Sequence, residues 1–195
     1  MRKAVYREFE KICAERELRG TVLEVGATTP DPSTFLTMSA LKNMTEKIGL
    51  NLDDPSHYAD FSIIQGNANA MHYFEDGMFD AVLCNATLEH DRYFWKTIAE
   101  IKRVTKKGGL IVIGVPGYHE DANGKLLRRV LRKIPFLKSS SFMAGTMTLC
   151  VHKFPGDYYR FSPQAVEEIF LEGLKEVKVR TVLSPPRMIG YGIKA

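Results

Sequence analysis

Asn85, Ala86, Thr87, Leu88, Glu89 and His90 stand in a row directly after an apolar run, and they gather an amide, a hydroxyl, a carboxyl and an imidazole. An imidazole beside a carboxyl can take up or return a proton near neutral pH. Such a row does chemistry only where the fold exposes it to a ligand, so the flanking segments decide its meaning. DAVLCN, residues 80–85, has the mostly apolar character of a strand buried on both faces. Phe94, Ile98, Ile101 and Val104 then recur every three or four residues, which predicts a helix with one apolar face that Asp91 is suited to cap. Lys106 and Lys107 suit the negative end of that helix, and Gly108-Gly109 is expected to stop it. LIVIGVP follows as a second buried strand. A strand, helix and strand of this length form a right-handed parallel crossover, and ligands bind at the carboxyl ends of the strands in such sheets. The row from Asn85 to His90 is therefore expected at a ligand-binding edge.

The rest of the chain supplies the elements around it. Residues 2–18 read as an amphipathic helix with Val5, Phe9, Ile12 and Cys13 on one face and Gly20 as its stop. TVLEV, residues 21–25, is a buried strand. The turn at Gly26 and the Thr-Pro and Asp-Pro pairs behind it predict a helix running to about Met38. KIGLNL (47–52) and FSIIQGN (61–67) are two further short strands. Ser162-Pro163 opens a helix whose inner face carries Val166, Ile169 and Phe170, and KEVKVRTVL and RMIGYGIK close the chain as strands. Strands alternating with helices predict an α/β protein with a doubly wound, mostly parallel sheet and helices on both faces.

Composition narrows the class. A chain of 195 residues with 45% apolar and 26% charged residues suits one soluble domain with a substantial core. No apolar run approaches the ~20 residues of a membrane span, and the charged N-terminus has no signal core. The three cysteines, Cys13, Cys84 and Cys150, lie far apart, so neither a disulfide framework nor a metal site is expected, and a reduced, cytoplasmic setting is the simplest reading.

The run FDAVLCNATLEH followed by IAEIKRVTKKGGLIVIGVPG resembles the fourth and fifth strands of the class I S-adenosylmethionine-dependent methyltransferases, in particular the small bacterial branch with a "LEH" turn. The resemblance extends to TVLEVG at 21–26 and to FPGDYYRFSPQAV at 154–166, in the family's order. It implies a seven-stranded Rossmann-like sheet with the last strand antiparallel, S-adenosylmethionine as cofactor and a small-molecule acceptor such as a sugar or glycoconjugate component. Glu24, Gly26, Ala27 and Thr28 then fall at the cofactor turn after the first strand, where Ala27 and Thr28 replace family glycines. Asn51 falls where the family has a carboxylate that accepts the ribose hydroxyls, with Asp53 the nearest acid. Asn67 and Ala68 fall near the adenine, and Asn85 and Ala86 beside the methionine portion. His90 is implied as the catalytic base. His152, Asp157, Tyr158 and Arg160 are implied as acceptor-binding residues. Read without the family, Asn51 and Asn67 are ordinary turn residues, and Asp157 with Arg160 is a local ion pair.

The whole chain is expected to be one methyltransferase-like domain, with an insertion at about 117–160 acting as a lid. Within it, residues 125–138 set leucines beside six cationic residues with no acid. That is the pattern of a segment lying on an anionic membrane surface or anionic substrate, or of a lid helix that buries its leucines and leaves its arginines in water. No aromatic residues interleave with the basic ones, so no nucleic-acid partner is expected. The competing expectation is a methyltransferase fold that no longer catalyses and serves as a binding or scaffold module. The altered turn and the two asparagines point that way.

Overall fold

The computed structural model describes residues 2–28, 34–118, 156–182 and 186–195. Among them, β1 (Gly20–Val25), β2 (Met44–Asn51), β3 (Ser56–His57), β4 (Ser62–Gln65), β5 (Phe79–Asn85), β6 (Thr105–Pro116), β7 (Leu174–Val182) and β8 (Arg187–Lys194) make one sheet. Its order is β3-β4-β2-β1-β5-β6-β8-β7. The pairs β1–β2, β2–β4, β1–β5 and β5–β6 are parallel, whereas β8 runs antiparallel to both β6 and β7. The doubly wound, mostly parallel α/β sheet is as expected, and its eighth strand is the two-residue β3 at one edge. The chain leaves β1 toward β2 and returns on the other side as β5, so the order reverses between β1 and β5. A reversal of this kind opens a crevice at the carboxyl ends of the two strands.

Alternate residues of the central strands serve opposite faces, because side chains change sides at every step. On one face Leu23, Val25, Val82, Cys84, Ile111 and Ile113 pack against Ile98, Ile101 and Val104 of α2 (Phe94–Val104). On the other, Val22, Ala81, Leu83, Leu110 and Val112 pack against Val5, Phe9, Ile12 and Cys13 of α1 (Lys3–Ala14). Each large apolar side chain withdrawn from water in this way contributes about 2 kcal/mol. No described helix is long and apolar enough to cross a membrane.

Several local expectations are corrected. α1 stops at Ala14, and Gly20 opens β1 at φ 87 instead of ending the helix. Where a helix was expected up to Met38, the described part holds two 3-10 turns, Phe35–Thr37 and Ser39–Leu41, separated by an extended Met38. Tertiary bonds explain the break. Glu24 holds the Thr34 hydroxyl and the Phe35 N–H, while Ser39 donates its N–H (3.2 Å) and its hydroxyl (2.7 Å) to Glu10 of α1. α2 ends at Val104, so Lys106 to Gly109 belong to β6, and Lys106 pairs with Asp80 of β5 at 2.7 Å. Asp91 is not the cap residue of α2, although its Oδ1 accepts the Tyr93 N–H at 2.8 Å. Ser162 does cap α3 (Pro163–Ala165), which continues as a π-helical turn, Val166–Phe170, that leaves Ile169 more than half exposed.

Candidate functional site

The crevice between β1 and β5 is built first from Glu24 and Gly26. Glu24 is buried, and its Oε2 accepts the Thr34 hydroxyl and the Phe35 N–H, the latter at 2.9 Å. Burial pushes its carboxyl up to about 7, against the opposing effect of those bonds. Gly26 has φ 78, and a Cβ added there would overlap the Thr87 side chain across the crevice. Only glycine adopts that backbone readily and leaves room for the neighbouring strand. The Thr87 hydroxyl lies 3.3 Å from the Val25 carbonyl and 3.2 Å from that of Asn85, so it bridges the ends of β1 and β5. Ala27 is buried, and Thr28 beyond it is exposed.

Next along the edge come the ends of β2 and β4. Asn51 donates its Nδ2 to the Ala27 carbonyl at 2.5 Å and accepts the Leu52 N–H on Oδ1 at 2.7 Å. Asp53 is exposed. Asn67 is an exposed turn residue whose Oδ1 accepts the Asn69 N–H at 2.9 Å, and Ala68 packs partly against the core. This turn is held from α2. The Asn69 amide donates to Asp91 (2.6 Å) and Thr97 (2.8 Å), and Arg103 donates to the carbonyls of Met71 and Phe74, both at 2.9 Å.

The end of β5 is built differently. Asn85 Oδ1 is buried, has no hydrogen-bond partner among the described residues, and fits where Gly114 has no Cβ, 2.5 Å from the position a Cβ would take. Ala86 is held at φ 54, an uncommon conformation for a residue with a side chain, while its N–H reaches the Gly114 carbonyl at 3.0 Å. The 3-10 turn Leu88–His90 follows. Glu89 is completely buried; Oε1 accepts from Arg187 at 3.0 Å and Oε2 has no hydrogen-bond partner among the described residues. His90 is half-buried, with its N–H on the Thr87 carbonyl at 3.0 Å.

The segment after Gly156 docks onto this turn. Tyr158 and Tyr159 both donate their N–H groups to the Glu89 carbonyl, at 2.8 and 3.2 Å. Asp157 and Arg160 form a two-pronged ion pair at 2.5 Å, and Tyr159 packs on Phe94 with ring centres 5.0 Å apart. The Tyr158 hydroxyl accepts from Arg92 at 2.9 Å. Glu89 and His90 are thus brought together with Asp157, Tyr158 and Arg160. His152, also expected here, and the basic stretch 125–138 lie outside the described residues.

Sequence reasoning missed Arg187. An arginine opening a late strand carries no local signal. It reaches Glu89 because β8 is antiparallel to β6, with Arg187 paired to Pro116, so its amino end lies at the carboxyl edge of the parallel strands. Arg92 was missed as well, being the residue after a cap candidate.

These residues fit an adenosyl cofactor with an amino acid tail in two respects. The Gly26 turn has the positive φ of a tight strand-end turn at a strand-order reversal, and Asn85 at the end of the facing strand leaves a buried oxygen, lying against Gly114, without a hydrogen-bond partner among the described residues.

Residues 20–113 match a family model described as a methyltransferase domain. An uncharacterized protein of Methanocaldococcus jannaschii is 37% identical over 72 residues, 37% of this chain, and the chain spans only 35% of that relative's length. Among solved structures, a SAM-dependent methyltransferase from Archaeoglobus fulgidus superposes with a TM-score of 0.67 at 13% identity, covering 100% of this chain and 95% of its own. A SAM-dependent methyltransferase from Thermotoga maritima, described as a possible histamine N-methyltransferase, gives 0.61 at 19% identity over 98% and 89%. Phosphoethanolamine N-methyltransferase 2 of Haemonchus contortus, solved with phosphomonomethylethanolamine and S-adenosylhomocysteine, gives 0.60 at 12% over 98% and 52%. Matched domain and shared fold agree with the resemblance carried by the strands around Asn85–His90: residues 20–113 are similar to a methyltransferase domain, and the chain has the fold of the class I S-adenosylmethionine-dependent methyltransferases.

Proposed function

We propose that this protein transfers a methyl group from S-adenosylmethionine to a small-molecule acceptor with a nucleophilic hydroxyl or amine, a sugar or glycoconjugate component being the class to try first. One observation carries the reading. The methyltransferase-domain match, 20–113, spans β1 to β6, whose carboxyl ends bear Gly26-Ala27, Asn51, Asn67-Ala68 and Asn85-Ala86 around a single strand-order reversal.

When bound, the cofactor supplies an electrophilic methyl on a sulfonium. Gly26 and Ala27 would hold its amino acid portion, Asn85 and Ala86 would flank the methionine side, and Asn67 and Ala68 would border the adenine. Much of the rate in such a displacement comes from alignment and exclusion of water. Tyr158, Asp157 and Arg160 line the acceptor side, with Tyr158 fixed by Arg92 and by the Glu89 carbonyl. His90 takes the acceptor's proton as the new bond forms.

Calorimetric titration with S-adenosylmethionine and S-adenosylhomocysteine, with NAD as control, tests the cofactor. Micromolar binding that disappears in Gly26→Val is expected. A folded protein that binds neither compound would give first place to the scaffold reading, which the engaged Asn51 amide favours. With an acceptor in hand, His90→Gln is expected to lower turnover about 100-fold while leaving cofactor affinity within about threefold.

A further inference from the structure

Asn51 ends β2 where a carboxylate would accept ribose hydroxyls, yet both ends of its amide are engaged within the chain. Nδ2 donates to the Ala27 carbonyl at 2.5 Å, and Oδ1 accepts the Leu52 N–H at 2.7 Å. Reversing the amide would set oxygen against the Ala27 carbonyl and NH2 against the Leu52 N–H, so its neighbours dictate its orientation. The turn that Asn51 grips is also pinned from the other side. Gly26 and Ala27 donate their N–H groups to the Leu50 carbonyl at 2.8 and 3.1 Å. Ala27 is buried and sits so close over Gly49 that a Cβ added there would come within 2.6 Å of the Ala27 Cβ. A carboxylate at this position has no proton to give the Ala27 carbonyl; an amide does.

We propose that Asn51 is a positioning residue: it locks the Gly26–Ala27 turn into the shape the cofactor's amino acid portion meets, and it does not itself bind the ribose hydroxyls. The inference rests on the methyltransferase reading above. It makes the loss of the acid a change of job. The charge-assisted ribose contact is given up, and the turn, lacking the family's later glycines, gains a side-chain brace.

The test uses the whole chain, with S-adenosylhomocysteine and its 2′-deoxyribose analogue as probes, and amide hydrogen exchange as a second readout. Wild type is expected to bind the two compounds within about threefold of each other. Asn51→Asp and Asn51→Ala are each expected to lose about tenfold for both compounds in equal measure, as befits one lost hydrogen bond transmitted through the turn. The Gly26 and Ala27 amides should exchange about tenfold faster in both variants while Val112 and Ile113 of β6 keep their protection. Discrimination of tenfold or more by wild type, abolished in the variants, overturns the proposal, and so does tighter binding by Asn51→Asp. Unchanged exchange at Gly26 and Ala27 overturns it too. If wild type binds neither compound, the methyltransferase reading falls, and the brace stands or falls on the exchange data alone.

Discussion

The carboxyl ends of β1 and β5 face one another across the crevice and are finished in opposite ways. At β1 the groups are satisfied. Glu24 holds the Thr34–Phe35 turn, Gly26 and Ala27 bond to Leu50, and the Ala27 carbonyl is taken by Asn51. At β5 Asn85 Oδ1 and Glu89 Oε2 are buried without hydrogen-bond partners among the described residues, and Ala86 sits at φ 54. Buried polar atoms left unpaired and backbone held at positive φ both cost free energy, and such costs concentrate where ligands and chemistry supply compensation. The end of β1 is thus closed by its own hydrogen bonds, whereas the end of β5 carries the unpaired atoms and the strained backbone.

The contrast can be broken most directly at Gly26. Gly26→Ala is expected to cost about 4 kcal/mol in chemical denaturation, from overlap with Thr87 and from the positive φ. The double variant Gly26→Ala, Thr87→Ala should recover all but about 1 kcal/mol, the backbone share. Failure of that rescue would mean that the turn is not pressed against the end of β5.

On the β5 side, Arg187→Met strips Glu89 of its cation and is expected to cost about 3 kcal/mol, largely restored by adding Glu89→Gln. A loss under about 1 kcal/mol would put this pair in the class of exposed ion pairs such as Arg16–Glu176.

Glu24 sharpens the β1 side through pH. Its folded value, about 7, lies above its ordinary 4.5, so the folded chain holds an extra proton between those limits. Its contribution to stability is complete below about 4.5 and is lost as pH rises through about 7. Glu24→Gln keeps an acceptor for Thr34 and Phe35 and does not titrate. Unfolding at acid and alkaline pH should show the variant gaining about 3 kcal/mol on the parent across that window. A pH-independent difference would remove the buried carboxyl from the account.

The smallest effect is expected at Ala86. Ala86→Gly relieves the positive φ and should raise stability by about 0.5 kcal/mol, the small surplus of strain relief over the extra freedom of the unfolded chain. A loss of stability would mean that Ala86 is not strained.

Much of the fold was legible because its signals are local. The apolar run at 80–85, the three-and-four spacing from Phe94 to Val104 and the glycine after TVLEV each depend on a few neighbouring residues, and the structure keeps every one of those elements. The misreadings came where long-range bonds outweigh local preference. The helix expected toward Met38 is broken into turns because Glu24 and Glu10, from a strand and a helix far behind it, capture Thr34, Phe35 and Ser39. Lys106 to Gly109 look like a helix end, yet they are drawn into β6 once Asp80 pairs with Lys106.

The candidate site divides along the same line. Residue types and chain order alone determined that Gly26, Asn51, Asn67 and Asn85 end successive parallel strands, since periodicity and turn chemistry act within a few residues. Only the tertiary structure decided which of them has a free polar group to offer. Asn51 spends its amide on Ala27, Asn85 keeps an oxygen unpaired among the described residues, and Glu89 meets Arg187, 98 residues away in sequence, because an antiparallel last strand carries that arginine to the same edge. A hydrogen bond between distant strands depends on register and direction, and neither is written in the residues that make it.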